Sequence, residues 1–261
     1  MPRPIPKLIG KITITTGSND RIYWWESDGG GDLSGTLIAG EYYVDALMQH
    51  IASIMNAGTG NSSTYIGQLD NTTGIAAIFS DSKIFYLKFS EDEGRNVLTG
   101  GDPGAGTRGA LHLGWEATAP AVYEAAAVTH SPDVAPAHVW YPSRPPRKDS
   151  ERDPSRYTIE SNSIDGTGEV FDFSGVAPKR DTRRLQWQRL SQADRENWLD
   201  VFWGPYAGGG GHFKYYNDRT QSAYAVWRLT KESLDAHGQG EREQNYSRWS
   251  GQFLMKWEAA S

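Results

Sequence analysis

Apolar side chains recur along this chain with two different spacings, and each spacing predicts a different kind of element. In one segment the spacing is the 3.6-residue period of an amphipathic helix, which we expect over residues 41–57 and closed by Gly58. The apolar positions of that helix are Val44, Leu47, Met48, Ile51, Ile54 and Met55. Over most of the remaining chain, apolar and polar residues alternate at every second position, which predicts strands with one buried face.

The alternating segments predict many short strands separated by glycine and asparagine turns. In the first half they are Lys11–Thr16, Arg21–Glu26, Leu33–Ile38, Thr64–Leu69, Ile75–Phe79 and a strand that places Phe85, Leu87 and Phe89 on one side. In the second half they are Tyr157–Ser161, Val170–Phe173, Arg183–Arg189, His212–Tyr216, Ala223–Leu229 and Trp249–Trp257. We expect one further helix from about Gln192 to Trp203, with Ser191 as its N-cap and Asp194 at its positive end.

This pattern predicts a mainly β protein with minor α (α+β), made of two β-rich modules that each carry one short helix. The first module covers residues 1–116 and the second covers residues 157–261. Residues 117–156 lie between them as an Ala/Pro-rich arm followed by a linker rich in proline and charge. With 29 Gly and 13 Pro in the chain, long helices are not expected.

The clearest boundary is residues 142–156, PSRPPRKDSERDPSR, which we call the connector. It has no apolar side chain besides its prolines, so it cannot form a core of its own, and we expect it to be solvated and extended. Fully stretched, it would reach roughly 50 Å. We therefore predict that it crosses to an adjacent subunit of an assembly. The alternative is a surface loop inside one domain.

Composition excludes several classes of protein. The formal net charge of −6 excludes a globally basic nucleic-acid binder, and no stretch approaches the apolar length of a membrane-spanning helix. The absence of cysteine removes disulfides and thiolate sites. We expect a soluble chain made in the cytosol that binds neither nucleic acid nor membrane.

No convincing catalytic or cofactor motif is found. Gly104, Gly106 and Gly109 spell G-x-G-x-x-G, but LHLGW follows them instead of the helix that phosphate binding requires. Asp28 and Asp32 flank three glycines without the bidentate glutamate of a calcium loop, so a hairpin loop fits better. The six histidines lack metal-site spacing, although a cluster assembled by the fold stays open. We expect no cofactor, no metal and no catalysis; a cell-wall hydrolase is the enzyme alternative.

Trp24 and Trp25 are adjacent, and adjacent side chains on a strand point to opposite faces. One of them is therefore expected in the core and the other outside. In a glycine-rich neighbourhood, the outer tryptophan is either an anchor for a protein interface, which we favour, or a platform for a glycan. A glycan- or receptor-binding role is accordingly the alternative function.

A basic run, APKRDTRR, precedes the strand at Leu185 and contains Arg183 and Arg184. We interpret it as pairing with an acidic neighbouring subunit or, equally, as the solvated end of a strand. His212 begins the next predicted strand after four glycines, where it is expected to contact a neighbour or to form hydrogen bonds.

The second half resembles the distal tail proteins of long-tailed bacteriophages and related gene transfer particles. The similarity lies in RRLQW, NWLDVFW and GGGGHFKYYND, an Arg-rich strand, a short aromatic helix and an aromatic strand that ends at Asp218. The first half resembles a module of phage tail-tip proteins, through RIYWWES, AGEYYVDALMQHIASIMN, a hairpin over residues 65–79 and LHLGW. Together these motifs cover most of the chain outside residues 117–156.

The resemblance implies a virion structural protein that forms a ring, commonly a hexamer, at the distal tail or baseplate. Its partners would be copies of itself, the tail tube and a central hub or fibre. Ring contacts of this kind use aromatic and arginine anchors and pairing strands. The candidate interface residues are Trp24, Trp25, Arg183, Arg184, Trp187, Trp198, Trp203, His212, Phe213, Tyr215 and Tyr216, some of which must instead be core.

Overall fold

The structure is a computed structural model of the whole chain. It describes residues 4–27, 31–58, 60–88, 96–98, 113–115, 129–132, 136, 138–146, 148–152, 158–161, 169–172, 182–197, 211–229, 241–242 and 249–257. The statements below concern these residues.

The described residues form strands and two helices, which confirms the prediction of a mainly β fold with minor α. The first part of the chain contains β1 (Lys7–Ile9), β2 (Lys11–Ile14), β3 (Arg21–Glu26), β4 (Gly31–Thr36), β5 (Gly40–Tyr43), α1 (Val44–Ala57), β6 (Tyr65–Leu69), β7 (Ala76–Ser80), β8 (Phe85–Leu87), β9 (Thr129–His130) and β10 (Val139–Trp140). The second part contains β11 (Lys148–Arg152), β12 (Thr158–Ser161), β13 (Glu169–Asp172), β14 (Thr182–Leu190), α2 (Gln192–Glu196), β15 (His212–Tyr216), β16 (Ala225–Leu229), β17 (Glu241–Arg242) and β18 (Trp249–Trp257).

Helix α1 is the predicted amphipathic helix, shortened at its start. It begins at Val44 and not at residue 41, because the preceding residues form β5 and pair with β2, Tyr42 opposite Ile12. It ends as expected at Gly58, whose N–H bonds to the carbonyl of Met55. Its buried side chains are Val44, Leu47, Met48, Ile51, Ala52 and Met55, which lie in the main hydrophobic core.

Three small sheets surround α1: β2–β5, β4–β3–β8 and β6–β7–β9. Two glycines allow the helix to approach them closely. A Cβ at Gly67 of β6 would collide with the backbone carbonyl of Met48, and one at Gly35 of β4 would collide with the side chain of Ile54. Small residues at these two positions therefore set the distance between helix and sheets.

The largest sheet is antiparallel and has the order β10–β1–β15–β16–β18–β14–β11, with β17 added beside β18. Its two end strands are consecutive in sequence, and residues 141–147 that join them reach at most roughly 30 Å. The sheet therefore curls back on itself in the manner of a partly closed barrel. Trp140 of β10 packs edge-on against Trp187 of β14, with ring centroids 5.1 Å apart, which brings the two ends together.

This sheet contains strands from both predicted modules. β1, near the start of the chain, pairs with β10 on one side and with β15 on the other, for example Leu8 with Trp140 and with Tyr215. The boundary drawn from the sequence is therefore bridged by backbone hydrogen bonds, because the alternation that predicts a strand does not identify its neighbour.

The connector is held by its own chain over its described part, where the sequence predicted a solvated, extended linker; its crossing to another subunit stays a prediction. Lys148–Arg152 is β11 and pairs with β14. The backbone N–H and the hydroxyl of Ser143 donate to the carboxylate of Asp194, and the indole N–H of Trp187 donates to the carbonyl of Arg144. A charged segment without apolar side chains suits a sheet edge as well as solvent, and here it forms the edge.

Helix α2 begins where it was predicted. The Ser191 hydroxyl accepts from the Asp194 N–H, and the Asp194 carboxylate accepts from the Ser191 N–H, which together form a capping box. The helix covers Gln192–Glu196, and the predicted continuation to Trp203 lies outside the described residues.

Candidate contact surface

Strand β3 separates two environments, and its adjacent tryptophans lie one in each. Trp24 is fully buried, whereas Trp25 on the opposite face is half-buried. The sequence-based expectation that one is core and the other points outward is confirmed, and the outward residue is Trp25.

On the inner face of β3, Glu26 is a fully buried carboxylate with a complete set of donors. The Tyr65 hydroxyl donates to Oε1 at 2.6 Å, while the Ser62 N–H and hydroxyl donate to Oε2 at 3.0 and 2.7 Å. Burial alone would raise the pKa of Glu26, but the hydrogen bonds from Tyr65 and Ser62 outweigh it and hold the pKa below its ordinary value. The carboxylate therefore ties β3 to the start of β6 and is not presented to solvent.

On the outer face, three residues line up across β4, β3 and β8, and we call them the outer row: Asp32, Trp25 and Tyr86. Trp25 is in register with Asp32 on one side and with Tyr86 on the other. Residues opposite each other in a pair of strands point to the same face, so the three side chains share one surface. The rings of Trp25 and Tyr86 are adjacent, with centroids 5.1 Å apart and planes inclined by 56°.

The carboxylate of the outer row forms an ion pair with a buried lysine. Lys88 is buried, and its Nζ lies 2.9 Å from Oδ1 of Asp32, whose own side chain is 61% exposed. The Lys88 N–H also bonds to the carbonyl of Tyr23, which fixes the backbone at the end of β8. The outer row is thus a half-exposed aromatic surface beside a carboxylate of fixed position.

A second polar cluster joins the start of α1 to the large sheet. Lys214 of β15 lies 2.8 and 3.0 Å from the two carboxylate oxygens of Asp45, and the Tyr216 hydroxyl donates to the same carboxylate at 3.1 Å. Asp45 and Lys214 are 169 residues apart in the sequence. This cluster, together with β1, fastens the beginning of the chain to its second half.

Tyrosine rings enclose the lysines of this cluster. Lys214 Nζ lies 4.7 Å from the ring centroid of Tyr43 and 4.6 Å from that of Tyr224, and Lys7 Nζ lies 4.5 Å from that of Tyr216. These distances suit cation–π attraction. Burial lowers the pKa of Lys7, and burial followed by the nearby Asp45 charge raises the pKa of Tyr216.

Most of the described candidate anchors are core residues of this chain, as the sequence analysis expected for some of them. Trp24, Trp187, Phe213, Tyr215 and Tyr216 are all buried within the chain itself. The reason lies in the curled sheet and in the packing of β1 and α1 against β15, which cover faces that the sequence leaves open. Trp25 alone among the candidate tryptophans with described side chains is half-exposed.

The remaining candidates have mixed placements. His212 is half-buried at the start of β15, and Arg183 and Arg184 lie on β14, which is flanked by β11 and β18. The two arginines therefore belong to an interior strand and not to a sheet edge. Trp198 and Trp203 lie outside the described residues.

Sequence reasoning missed Tyr86, Lys88, Asp45 and Lys214. Tyr86 could have been found, since it stands between Phe85 and Leu87 in an alternating strand and must point away from the core. The two lysine–carboxylate pairs gave no signal, because their partners are distant in the sequence.

Within the described part of the chain, no group of three or more His, Asp or Glu side chains is placed to hold a metal ion. No helix there is both long and apolar enough to cross a membrane.

Comparisons with known proteins identify no family. A scan against models of protein families finds no match, and no curated protein matches the chain. Among solved structures, the chain is weakly similar to the selenomethionine-labelled mavirus penton protein, with 8% identity over 98% of this chain and 84% of that one. The TM-score of 0.23 is too low for this likeness to carry an argument about fold or function.

Proposed function

We propose that this chain is a non-catalytic structural subunit of a viral particle. More narrowly, we propose a bacteriophage tail protein that forms a ring or adaptor at the distal tail or baseplate, with copies of itself and other tail proteins as partners. The observation that carries the proposal is the use of three buried or half-buried carboxylates, which hold together segments that are distant in the sequence.

Three carboxylates serve as such ties. Glu26 accepts from Tyr65, Asp45 accepts from Lys214, and Asp194 accepts from Ser143, across separations of 39, 169 and 51 residues. A catalytic carboxylate must face its substrate, whereas these face their own chain. Hydrogen bonds of this kind between distant segments make the subunit rigid, and rigidity supports a role in assembly.

The edge of β4 is suited to pairing with a neighbouring subunit. In the described residues, β4 is the end strand of β4–β3–β8, and Ile38 just beyond it is 69% exposed. The end strands β6 and β11 are protected in different ways. The Asn56 side chain bonds to both the N–H and the carbonyl of Tyr65 in β6, and β11 reads KDSER, a charged edge that resists pairing.

We therefore expect the ring contact to include the edge of β4. Strand addition at such an edge joins one surface to a different one on the neighbour, and repetition closes a ring. The bacteriophage tail location and the six-fold symmetry come from the resemblance of RRLQW, NWLDVFW and GGGGHFKYYND to distal tail proteins.

Native mass spectrometry and electron microscopy of the purified full chain would test the assembly. We expect a closed ring, which Ile38→Asp disrupts while the unfolding midpoint stays unchanged. Ile66→Asp is the matched control, because Ile66 is 56% exposed on the solvent face of β6, and it should leave the ring intact.

Three results would contradict the proposal. A monomer that persists at about 100 μM would remove the ring, and a ring that tolerates Ile38→Asp would remove the β4 edge as its contact. Clearing of peptidoglycan in a zymogram would contradict the non-catalytic role. Mass spectrometry of purified phage particles would test whether the chain is part of a tail.

A further inference from the structure

We infer that the side chains of Lys7 and Asn71 react with each other and form an intramolecular isopeptide bond, an amide between two side chains. The bond joins β1, near the start of the chain, to the turn between β6 and β7. This modification goes beyond the proposed assembly role and does not depend on it.

The first observation is the contact between the two groups. Nζ of Lys7 lies 2.9 Å from Oδ1 of Asn71, although the two residues are 64 positions apart in the sequence. The carbon Cγ of Asn71 is one C=O bond from Oδ1, so Nζ lies within roughly 4 Å of the atom that it attacks. Reacting groups that the fold holds so close together react far faster than the same groups free in solution.

The second observation is that the amine of Lys7 is shielded from water. Lys7 is 7% exposed, and its Nζ lies 4.5 Å from the ring centroid of Tyr216. Burial lowers the pKa of Lys7 against the opposing charges of Asp45 and Asp218. The positive charge of Lys214 lowers it further. A desolvated lysine beside a second cation is more often neutral, and the neutral amine is the nucleophile.

The third observation distinguishes Lys7 from other lysines of the chain. Lys11, Lys88 and Lys214 each form an ion pair with a carboxylate. The hydrogen bond of Lys7 goes instead to a neutral amide, and none of the described carboxylates forms an ion pair with it. A buried ammonium without a paired carboxylate is costly, and conversion into an amide removes its charge.

The fourth observation is that a well-bonded turn holds Asn71 in place. The carboxylate of Asp70 accepts from the backbone N–H groups of Thr72 and Thr73. The N–H of Gly74 donates to the carbonyl of Asp70, which closes the turn. The amide of Asn71 is therefore presented to the amine by a fixed backbone.

The reaction needs no further reactant. The neutral Nζ of Lys7 attacks Cγ of Asn71, the new N–C bond forms, and the bond from Cγ to Nδ2 breaks. The proton that Nζ loses goes to Nδ2, which leaves as ammonia. The product is a neutral secondary amide, and the chain becomes lighter by one ammonia, about 17 Da.

Mass spectrometry of the purified full chain under denaturing conditions tests the bond. We expect a mass about 17 Da below the mass calculated from the sequence. Trypsin does not cleave after an acylated lysine, so residues 1–11 should be recovered joined to residues 22–83, the tryptic peptide that contains Asn71.

Matched variants identify the two partners. Lys7→Arg keeps the positive charge but removes the amine, so it should abolish the loss of mass. Asn71→Ala should abolish it as well, and this variant is expected to fold because Asn71 is exposed. Lys11→Arg is the control, since Lys11 pairs with Glu41, and it should keep the loss. Circular dichroism verifies that each variant is folded.

A mass equal to that of the sequence would overturn the inference. So would a loss of ammonia that persists in Lys7→Arg, because an asparagine that cyclises to a succinimide also releases ammonia. A loss of water mapped to Lys214 and Asp45 would overturn the choice of partners. These measurements use the isolated chain, so they fail or succeed independently of ring formation.

Discussion

The two faces of β3 carry similar residues in different surroundings. On the inner face, Trp24 and Glu26 are fully buried, and the carboxylate accepts hydrogen bonds from Tyr65 and Ser62. On the outer face, Trp25 is half-exposed beside the exposed carboxylate of Asp32. An indole and a carboxylate thus lie in the core on one side of the strand, and on the other side the indole is half-buried and the carboxylate exposed.

The difference shows that residue type does not decide burial in this strand; the face on which a residue lies does. A position shift of one residue moves a side chain from one environment to the other, because side chains alternate along a strand. The comparison can be tested by matched substitutions on the two faces.

The largest expected difference in unfolding free energy is between the alanine variants of the two tryptophans. Trp24→Ala should reduce the free energy of unfolding by about 3–5 kcal/mol, because it leaves a cavity in the core beside Tyr65. Trp25→Ala should change it by about 1 kcal/mol or less. Urea denaturation followed by far-ultraviolet circular dichroism would measure both, and equal losses would show that the two faces are not different.

The next largest difference in unfolding free energy is expected between a buried and an exposed glutamate. Glu26→Gln should cost about 1–3 kcal/mol, since the new amide N–H₂ cannot accept from Tyr65 or Ser62 and leaves a buried donor unpaired. Glu41→Gln, on an exposed side chain, is the control and should cost about 0.5 kcal/mol or less. A loss for Glu26→Gln no larger than for Glu41→Gln would refute the role of Glu26 as a tie.

The third prediction concerns pH. The pKa of Glu26 is lowered in the folded protein, so its ionised form adds stability above the unfolded pKa of about 4.3, and that stability is lost as the pH falls through the folded pKa. The difference in unfolding free energy between the native chain and Glu26→Gln should therefore shrink below about pH 4. Denaturation at a series of pH values measures it, and a constant difference would contradict the prediction.

Local sequence patterns predicted helices and strands well where apolar residues recur with a regular period or where a capping residue is present. Arg21–Glu26, His212–Tyr216 and Trp249–Trp257 are strands with the predicted bounds. The Ser191 cap and the closure of α1 at Gly58 were also predicted, because capping depends on residues a few positions apart.

Long-range placement was not predictable. The short strands β1 and β10 carry too few residues to show alternation, yet they connect the start of the chain to β15. The connector was interpreted as a linker because its composition shows only that it cannot form a core, and the bonds of Asp194 that hold it come from a residue 51 positions away.

Taken by itself, the sequence determined the strand-rich composition of the fold, the place of α1 and the opposite directions of Trp24 and Trp25. These properties follow from hydrophobic period and local hydrogen bonding, which act over a few residues. Only the tertiary structure decided that Trp187, Phe213 and Tyr215 are core and that Trp25 meets Tyr86 and Asp32. Such choices depend on which strands pair, and pairing is set by the burial of the whole chain at once.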